Sequence, residues 1–380
     1  MKKNQLVTLG KHIDILSGCA FPSSGFNRNN GVPLIRIRDI LSGKTETYYE
    51  GSYDLKYLIK KGDLLVGMDG DFNREYWKGT DALLNQRVCK ITPNPETLDK
   101  NFLYHFLQKE LDKIHATTDV VTVKHLSVKK IQDIKIRLPS LKEQKRIAAI
   151  LDKADAIRQK REQAIKLADD FLRAKFLEMF GTPANNIHRF PKGTIRDLVD
   201  SVNYGTSAKA SIDSGEYPIL RMGNITYQGR WDFTDLKYLD LSVKEKDKYL
   251  VKEGDLLFNR TNSKELVGKT AVYEEDRPMA FAGYLIRVRP NSIGNNYYIS
   301  GYLNSIHGKI TLMNMCKSIV GMANINAQEL QNIEILIPPK HLQDEYEIIY
   351  KKIKKELSIY DKSAMQLQLL ASNLSNKYFM

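Results

Sequence analysis

Cysteine is scarce in this chain of 380 residues, and long apolar runs are missing altogether. The three cysteines, Cys19, Cys89 and Cys316, are too few and too far apart for a disulfide framework or a paired-cysteine zinc site. We therefore expect reduced thiols and a cytoplasmic protein. No apolar run reaches the roughly 18 residues that a membrane-spanning helix needs, and the first residues lack the apolar core of a secretory signal. The sequence thus predicts neither membrane insertion nor secretion.

Signatures of catalysis are also missing. None of the seven histidines stands in the His-Glu-Xaa-Xaa-His spacing of zinc hydrolases. Gly268-Lys269-Thr270 matches the end of a phosphate-binding loop, but that motif also requires a glycine where the chain has Ser263. No Gly-Xaa-Gly-Xaa-Xaa-Gly segment follows a strand pattern. We expect no active site in this chain, and no cofactor or metal ion bound by it.

Positive charge is what the sequence has in excess. Lysine and arginine number 58 against 45 aspartates and glutamates, which gives a net charge of +13. The excess is spread along the chain instead of being concentrated in a tail. A basic surface of this kind favours a polyanion such as nucleic acid as the partner. A generally basic surface without any ligand is the alternative interpretation.

Three segments of the first half recur in the second half in the same order. The matching pairs are Val32–Ile40 with Tyr217–Ile225 at an offset of 185, Lys61–Leu65 with Glu253–Leu257 at 192, and Ile131–Pro139 with Leu330–Pro338 at 199. Because the order is kept and the offset drifts by only 14 residues, one duplicated unit with loop insertions explains the pattern.

Each copy of the repeat divides into a mixed part and a helical part. Residues 1–138 and 181–338 carry short Val-, Ile- and Tyr-rich runs broken by Gly, Asn, Asp and Pro, which is typical of strands and turns. Residues 139–180 and 339–380 are predicted to be long helices that act as spacers. The predicted strands are Ile35–Ile40, Asp63–Gly67, Gln86–Ile91 and Ile134–Leu138, then Ile219–Ile225, Asp255–Asn259, Lys269–Tyr273, Tyr284–Arg289 and Ile333–Ile337. Shorter helices are predicted over Asp99–His115 and Tyr297–Asn314.

The long helical segments share one pattern. From 141 to 180 the chain has neither proline nor glycine, and apolar residues recur in steps of three and four until Gly181 and Pro183 end the helix. Residues 342–378 repeat this pattern, and about 40 residues correspond to about 60 Å of helix. We expect the two helices to form an antiparallel coiled coil; the alternative is that each packs only on its own domain. The predicted fold class is α+β, with two similar mixed domains, two long helices and a pseudo-two-fold internal repeat.

Two polar loops stand out, and both follow a Gly-Asp-Leu-Leu strand signal. Arginine can bind guanine through two hydrogen bonds, asparagine or glutamine can do the same with adenine, and serine, threonine and lysine mostly contact phosphates. An ordinary polar surface loop has a similar composition, and that is the competing interpretation. The candidate nucleic-acid contacts are Asn73, Arg74, Trp77, Lys78, Asn85, Gln86 and Arg87 in the first copy, and Asn259, Arg260, Thr261, Asn262, Ser263, Lys264 and Lys269 in the second.

The duplicated plan and its motifs resemble a known family. The central helix opens with the segment Leu138–Ile147, in which Pro139 stands five residues before Gln144, and the second copy keeps this spacing at Pro338 and Gln343. Together with the segments Phe258–Ser263, Leu266–Thr270, Gly67–Gly70 and Asn85–Arg87, the arrangement resembles the specificity (S) subunit of type I restriction–modification systems. The resemblance covers essentially the whole chain.

The resemblance implies a function and a set of partners. Each mixed half would be a target recognition domain that reads one part of a split, asymmetric sequence in double-stranded DNA, and the paired helices would fix the gap. Two DNA methyltransferase subunits would dock on the helices and modify adenines with S-adenosylmethionine. Restriction subunits would add translocation and cleavage that depend on ATP and Mg²⁺. These cofactors would belong to the partners, so this chain would be non-catalytic.

Two other interpretations stay open at the level of sequence. The chain could be a coiled-coil scaffold that joins other proteins, in which case the polar loops would be idle. It could also be the specificity subunit of a related modification-only system, which would have the same sequence features. A self-contained nuclease or methyltransferase would need motifs that are missing here.

Overall fold

The computed structural model of the chain describes residues 6–118, 123–316 and 321–379. These residues form two compact units. Unit 1 is built from residues up to 160 together with those from 363 onward, and unit 2 is built from residues 161–362. Both boundaries fall inside long helices, so each unit contains one end of each helix. The domain limits predicted at 138, 180 and 338 stay predictions.

Unit 1 combines short strands with two shorter helices and one end of each long helix. Its strands are β1 (Leu6–Thr8), β2 (Ile13–Ser17), β3 (Phe26–Asn27), β4 (Val32–Ile35), β5 (Tyr48–Tyr49), β6 (Leu58–Ile59), β7 (Leu64–Gly67), β8 (Arg74–Tyr76), β9 (Ala82–Leu84), β10 (Val88–Pro93) and β11 (Lys135–Arg137). Its helices are α1 (Lys100–Ala116), α2 (Val128–Gln132) and the first half of α3 (Leu141–Phe180).

Unit 2 repeats this composition. Its strands are β12 (Lys192–Thr194), β13 (Val199–Tyr204), β14 (Tyr217–Leu220), β15 (Lys237–Leu239), β16 (Leu256–Asn259), β17 (Thr261–Ser263), β18 (Thr270–Val272), β19 (Ala280–Phe281), β20 (Leu285–Pro290), β21 (Met322–Asn324) and β22 (Glu334–Leu336). Its helices are the second half of α3, α4 (Val243–Tyr249), α5 (Asn296–Asn304), α6 (Ile306–Met315), α7 (Ala327–Gln331) and the first part of α8 (Lys340–Phe379).

The two units share one sheet topology. Unit 1 has an antiparallel sheet in the order β2-β10-β7-β8, and unit 2 has β13-β20-β16-β18 in the corresponding places. Each unit also has a two-stranded pair, β1-β11 or β12-β22, that leads into a long helix. Each has a smaller sheet with one parallel pair, β4-β9 or β14-β19. The predicted α+β class with an internal repeat is confirmed.

Some predicted strand limits are wrong, because local hydrogen bonds turn the chain. The strand predicted over Ile35–Ile40 ends at Ile35, and residues 37–39 form a 3-10 turn. The carboxylate of Asp39 accepts the backbone N–H of Arg36 at 2.9 Å, which closes this turn. In unit 2, Asn224 accepts the N–H of Arg221 at 2.8 Å and ends β14 in the same way.

The helix predicted over Tyr297–Asn314 is also interrupted. It divides into α5 and α6 at Ser305, whose side-chain oxygen accepts the N–H of Gly308 at 3.1 Å. A serine at this position satisfies a backbone donor that a new helix would otherwise leave unpaired. The sequence pattern does not distinguish this break from a continuous helix, because the apolar spacing continues on both sides.

The cores of both units include residues of the long helices. In unit 1, α1 packs on the four-stranded sheet, and Ile147 and Leu151 at the start of α3 join the same buried cluster. Phe379 at the end of α8 reaches it too, with its ring centroid 5.2 Å from that of Phe102. The start of α3 and the end of α8 therefore share one core.

The opposite helix ends share the core of unit 2. The rings of Phe176 near the end of α3 and Tyr346 near the start of α8 lie 5.4 Å apart, and Phe180 lies 4.7 Å from Tyr298 of α5. Gly301 of α5 leaves room for the Phe176 ring, because a Cβ at position 301 would lie 2.6 Å from that ring. Within each unit the two long helices thus run antiparallel, and their ends also pack on the domain.

A buried glutamine ties the start of α3 to unit 1. Gln144 is 1% exposed, and its Nε2 donates to the carbonyl oxygens of Thr97 at 3.0 Å and Pro139 at 2.9 Å. Its Oε1 accepts the backbone N–H of Asp99, the N-cap residue of α1, at 2.8 Å. One side chain thus joins three backbone groups at the junction between sheet, α1 and α3.

The second copy keeps the two hydrogen bonds that the glutamine donates. Gln343 is completely buried, and its Nε2 donates to the carbonyl oxygens of Ile293 at 3.0 Å and Pro338 at 2.8 Å. Asn295, the N-cap residue of α5, donates to the carboxylate of Asp344 in the next position of α8 at 2.8 Å. The repeated Pro-to-Gln spacing in the sequence therefore encodes a repeated helix anchor.

Replacing the first of these glutamines should destabilise unit 1 alone. Gln144→Leu leaves buried backbone groups unpaired, so the free energy of unfolding of unit 1 should fall by roughly 2–3 kcal/mol. Trp77 lies in unit 1 and Trp231 in unit 2. In a Trp231→Phe background, the fluorescence of Trp77 during urea unfolding therefore reports on unit 1 alone. The exposed Lys145→Leu is the matched control and should change stability by less than about 0.5 kcal/mol. Equal losses in both variants would contradict the anchor.

Candidate nucleic-acid interface

The first candidate loop leaves β7 and is held between two distant segments. The N–H of Gly67 donates to the carbonyl oxygen of Asn73 at 2.8 Å, which closes the loop. The N–H of Met68 donates to the carbonyl of Arg87 at 2.8 Å, and the carbonyl of Met68 accepts the N–H of Leu126 at 2.7 Å. Residues 68–72 are therefore placed beside the 86–87 turn and the segment before α2.

Three polar side chains meet where these segments join, and we call them the Arg87 cluster. His125 Nδ1 lies 2.6 Å from Asp69 Oδ1, and Arg87 Nε lies 3.4 Å from Asp69 Oδ2. Arg87 and the neighbouring Gln86 are exposed and border a surface cavity of about 350 Å³. Arg87 has a φ of +71°, a left-handed conformation that is uncommon for a residue with a side chain. The hydrogen bonds of the turn thus hold a strained arginine at the surface.

The second candidate loop is built on the same backbone plan. The N–H of Arg260 donates to the carbonyl of Tyr284 at 3.0 Å, and the carbonyl of Arg260 accepts the N–H of Ile325 at 2.8 Å. The hydroxyl of Thr261 donates to Asn324 Oδ1 at 3.2 Å, where β17 pairs with β21. The two backbone bonds of Arg260 match the two backbone bonds that Met68 makes in unit 1. Arg260 therefore occupies the position of Met68 in the repeat.

The side chains at this second position form the Arg260 cluster, which comprises Arg260, Thr261, Tyr204, Tyr284 and Asn324. The guanidinium of Arg260 lies 4.8 Å from the centre of the Tyr204 ring, and its Nη1 donates to the carbonyl of Gly283 at 3.4 Å. Tyr204 and Tyr284 are 41% and 53% exposed, which is high for tyrosine rings. The cluster presents a positioned cation and two rings at the surface.

The two clusters have the same backbone arrangement but carry different side chains. Where unit 1 has Asp69, Arg87 and His125, the matching backbone positions of unit 2 carry Thr261, Tyr284 and Asn324. Arginine, histidine and asparagine have different hydrogen-bonding patterns, so the two surfaces would recognise different base edges.

Two of the predicted contacts in unit 1 lie inside the protein. Trp77 is 2% exposed, packs in a hydrophobic core and donates its Nε1–H to the carbonyl of Thr80 at 2.6 Å. Asn85 is 7% exposed, and its Oδ1 has no hydrogen-bond partner among the described residues. Trp77 therefore has a packing role, and Asn85 is buried whereas the neighbouring Gln86 and Arg87 are exposed.

The remaining predicted residues of unit 1, Asn73, Arg74 and Lys78, lie in or next to β8. Asn73 is half-buried where the loop closes. The guanidinium of Arg74 lies 3.4 Å from the centre of the Tyr104 ring, on α1. Lys78 is exposed, with Nζ 3.4 Å from a carboxylate oxygen of Glu75. Of this group only Lys78 is exposed.

The predicted residues of unit 2 divide in a similar way. Asn259 is completely buried, and neither the nitrogen nor the oxygen of its side-chain amide has a hydrogen-bond partner among the residues that the structure describes. Lys269 is 8% exposed and donates to the carbonyl of Met222 at 2.7 Å, and burial lowers its pKa. Asn262, Ser263 and Lys264 follow Thr261 and, like Arg260 and Thr261, are half-buried. The part of the candidate set in unit 2 that is not fully buried is therefore residues 260–264.

Five residues of the two clusters are not in the sequence-based set, namely Asp69, His125, Tyr204, Tyr284 and Asn324. A signal for two of them was present, because the offset of 199 that relates Ile131 to Leu330 also relates His125 to Asn324. Extending the repeat alignment by six residues would have paired them. Tyr204 has no such signal, since it comes to Arg260 through the pairing of β13 with β20.

The described residues were also compared with the requirements of a metal site and of a membrane-spanning helix. Among residues 6–118, 123–316 and 321–379, no group of three or more histidine, cysteine, aspartate or glutamate side chains is placed to hold a metal ion. Over the same ranges, the structure has no helix with the length and apolar character needed to cross a membrane.

Comparison with known proteins identifies the family of this fold. The family model for the type I restriction modification DNA specificity domain matches residues 1–167 and 190–369. The chain is 30% identical over 401 residues to the type I restriction enzyme EcoBI specificity subunit of Escherichia coli, covering 97% of this chain and 82% of that protein. It is 23% identical over 377 residues to the EcoKI specificity subunit of the same species, with 92% and 80% covered.

A solved structure shows the same fold. The crystal structure of the S subunit of a type I restriction–modification system from M. genitalium matches with a TM-score of 0.66 and 15% identity, over 100% of this chain and 97% of that chain. Together with the two family matches along the sequence, these similarities show that the chain belongs to the specificity subunits of type I restriction–modification systems, which contain two target recognition domains.

Proposed function

We propose that the Arg87 cluster and the Arg260 cluster each read one part of a split, asymmetric DNA sequence. The observation that carries this proposal is that equivalent backbone positions in the two units present different polar side chains. A duplicated frame with identical surfaces would favour a symmetric target, whereas different surfaces favour an asymmetric one. The net charge of +13 supports DNA as the ligand through contacts with phosphates.

We further propose that α3 and α8 bind two DNA methyltransferase subunits and set the gap between the two parts of the target. The helix starts are anchored to their units by Gln144 and Gln343, so a subunit bound to a helix would have a defined position relative to the adjacent DNA-reading surface. An apolar groove between the two helices in unit 1, lined by Ile150, Ile157, Leu367 and Leu370, supports protein docking there.

The chemistry would lie on the partners. S-adenosylmethionine would be held by the methyltransferase subunits, and ATP and Mg²⁺ by restriction subunits where these are present. This chain would contribute recognition and positioning without an active site of its own, in the cytoplasm. A modification-only complex would use this chain in the same way.

Single substitutions in the two clusters should affect different parts of the target. We expect Arg87→Ala to relax the base preference in one part, and Arg260→Ala in the other, each by roughly 5- to 150-fold. The measurement is mapping of methyladenine after coexpression with the cognate methyltransferase subunit in a host without adenine methylation. Arg137→Ala and Arg196→Ala, which lie on the strand before α3 and beside α7, are the matched controls.

The pattern of change decides between recognition and alternatives. Methylation that is unaltered in both cluster variants would contradict the assignment, and so would a change in both parts of the target in a single variant. Methylation at the same sites when this chain is omitted would instead favour a scaffold role.

Binding should depend steeply on salt. If the two units together contact six to ten phosphates, the affinity of the complex with its methyltransferase subunits should fall roughly 10³- to 10⁵-fold between 50 and 200 mM salt. Fluorescence anisotropy with labelled duplex DNA measures this, and a duplex with both target parts scrambled is the control for non-specific binding. An affinity that is nearly constant over this range would contradict a phosphate-based interface.

A further inference from the structure

Unit 2 contains a cavity of about 290 Å³ behind the second candidate loop. Its walls come from α3, α5, α6 and α8, and from residues 264–267 of the loop. Leu172, Ile310 and Met313 form apolar walls, and the rings of Tyr346 and Tyr350 lie on another side. A mostly apolar cavity with a few polar groups is the usual form of a small-molecule site, and this volume suits a compact ligand.

Positive charge predominates around the cavity. The acidic residues in its wall are Asp169 and Glu265, and Asp169 is already paired with Arg230, whose Nη2 lies 2.5 Å from its Oδ1. The cationic residues in the wall are Arg173, Lys264, Lys309 and Lys354, and Arg173 forms an ion pair of 3.9 Å with Asp170. The wall therefore holds four cationic residues and two acidic ones, and this excess of positive charge points to an anionic ligand.

Among these cations, Lys309 of α6 gives the strongest argument for a bound anion. Its Nζ donates to the carbonyl of Gly268 at a long 3.3 Å and lies 5.0 Å from the centre of the Tyr227 ring. Burial, together with the nearby charges of Lys269 and Arg173, lowers the pKa of Lys309 to about 8. In the part of the chain that the structure describes, no carboxylate forms an ion pair with it. A cation withdrawn from water without a counter-ion is unfavourable, and a bound anion would reverse this.

We propose that this cavity binds a compact organic anion, namely a ring that carries a carboxylate or phosphate group. The anionic group would contact the Lys309 ammonium, with Arg173 and Lys264 adding attraction. The ring would pack against Tyr346, Tyr350 and the apolar wall. Neither an inorganic anion nor a neutral ring would use both parts of the cavity, so the two features together determine the ligand class.

The position of the cavity gives binding a consequence for the loop. Lys264, Glu265 and Val267 belong both to the cavity wall and to the segment that continues from the Arg260 cluster. A bound anion would therefore restrain this segment. Binding itself does not depend on the function proposed above, because it requires no DNA.

Calorimetric titration of the full chain tests the proposal with four probes: phenyl phosphate, benzoate, inorganic phosphate and phenol. We expect at least one ring-bearing anion to bind at least tenfold more tightly than both inorganic phosphate and phenol. Comparison of phenyl phosphate with benzoate identifies the preferred anionic group. The melting temperature should rise with the concentration of the preferred probe, as it does for any ligand that binds only the folded state.

Variants locate the site. Lys309→Met and, separately, Arg173→Met should each weaken binding of the preferred probe at least tenfold, whereas Lys244→Met on the exposed surface of α4 should leave it unchanged. The melting temperature without ligand verifies that each variant is folded. Equal affinity in wild type and both cavity variants would overturn the proposal, and so would a lack of binding by both ring-bearing anions.

Discussion

The contact on which the arrangement of this molecule depends is a buried amide at the start of each long helix. Gln144 and Gln343 donate to carbonyl groups on either side of the junction, so the first turn of the helix cannot move without leaving buried backbone groups unpaired. Such groups cost about 1–3 kcal/mol each. In each unit the direction of the helix is thereby fixed relative to the sheet and to the surface that the sheet supports.

The repeated frame separates stability from specificity. Buried positions of the four-stranded sheets, the turns before β7 and β16 and the helix anchors correspond between units. The positions that change are at the surface, where Asp69 and His125 are replaced by Thr261 and Asn324. A family of specificity subunits can therefore vary its surface side chains while the hydrogen bonds of the frame persist. This is the expected behaviour of loops placed on a rigid scaffold.

The sequence predicted what is encoded locally. The long helices follow from apolar spacing and from Gly181, which has a φ of +67° where α3 ends. The turns at Gly62 and Gly254, with φ of +90° and +88°, follow from the Gly-Asp signal. The sites were predicted less well, because Trp77 and Asn259 stand in polar loops and yet are buried by distant segments. His125 and Tyr204 join their clusters through strand and loop pairing over many residues, which local composition does not reveal.

The division of the chain into units has a consequence for synthesis on the ribosome. Unit 2 is one continuous segment, but unit 1 needs residues from 363 onward, more than 200 positions after its first part ends at 160. Phe379 packs between Phe102 and Phe106, so the core of the unit that emerges first is completed last. At about 5–20 residues per second, this interval lasts roughly 10–40 seconds. During it, the apolar face of unit 1 that later receives α8 is exposed to chaperones and to other nascent chains.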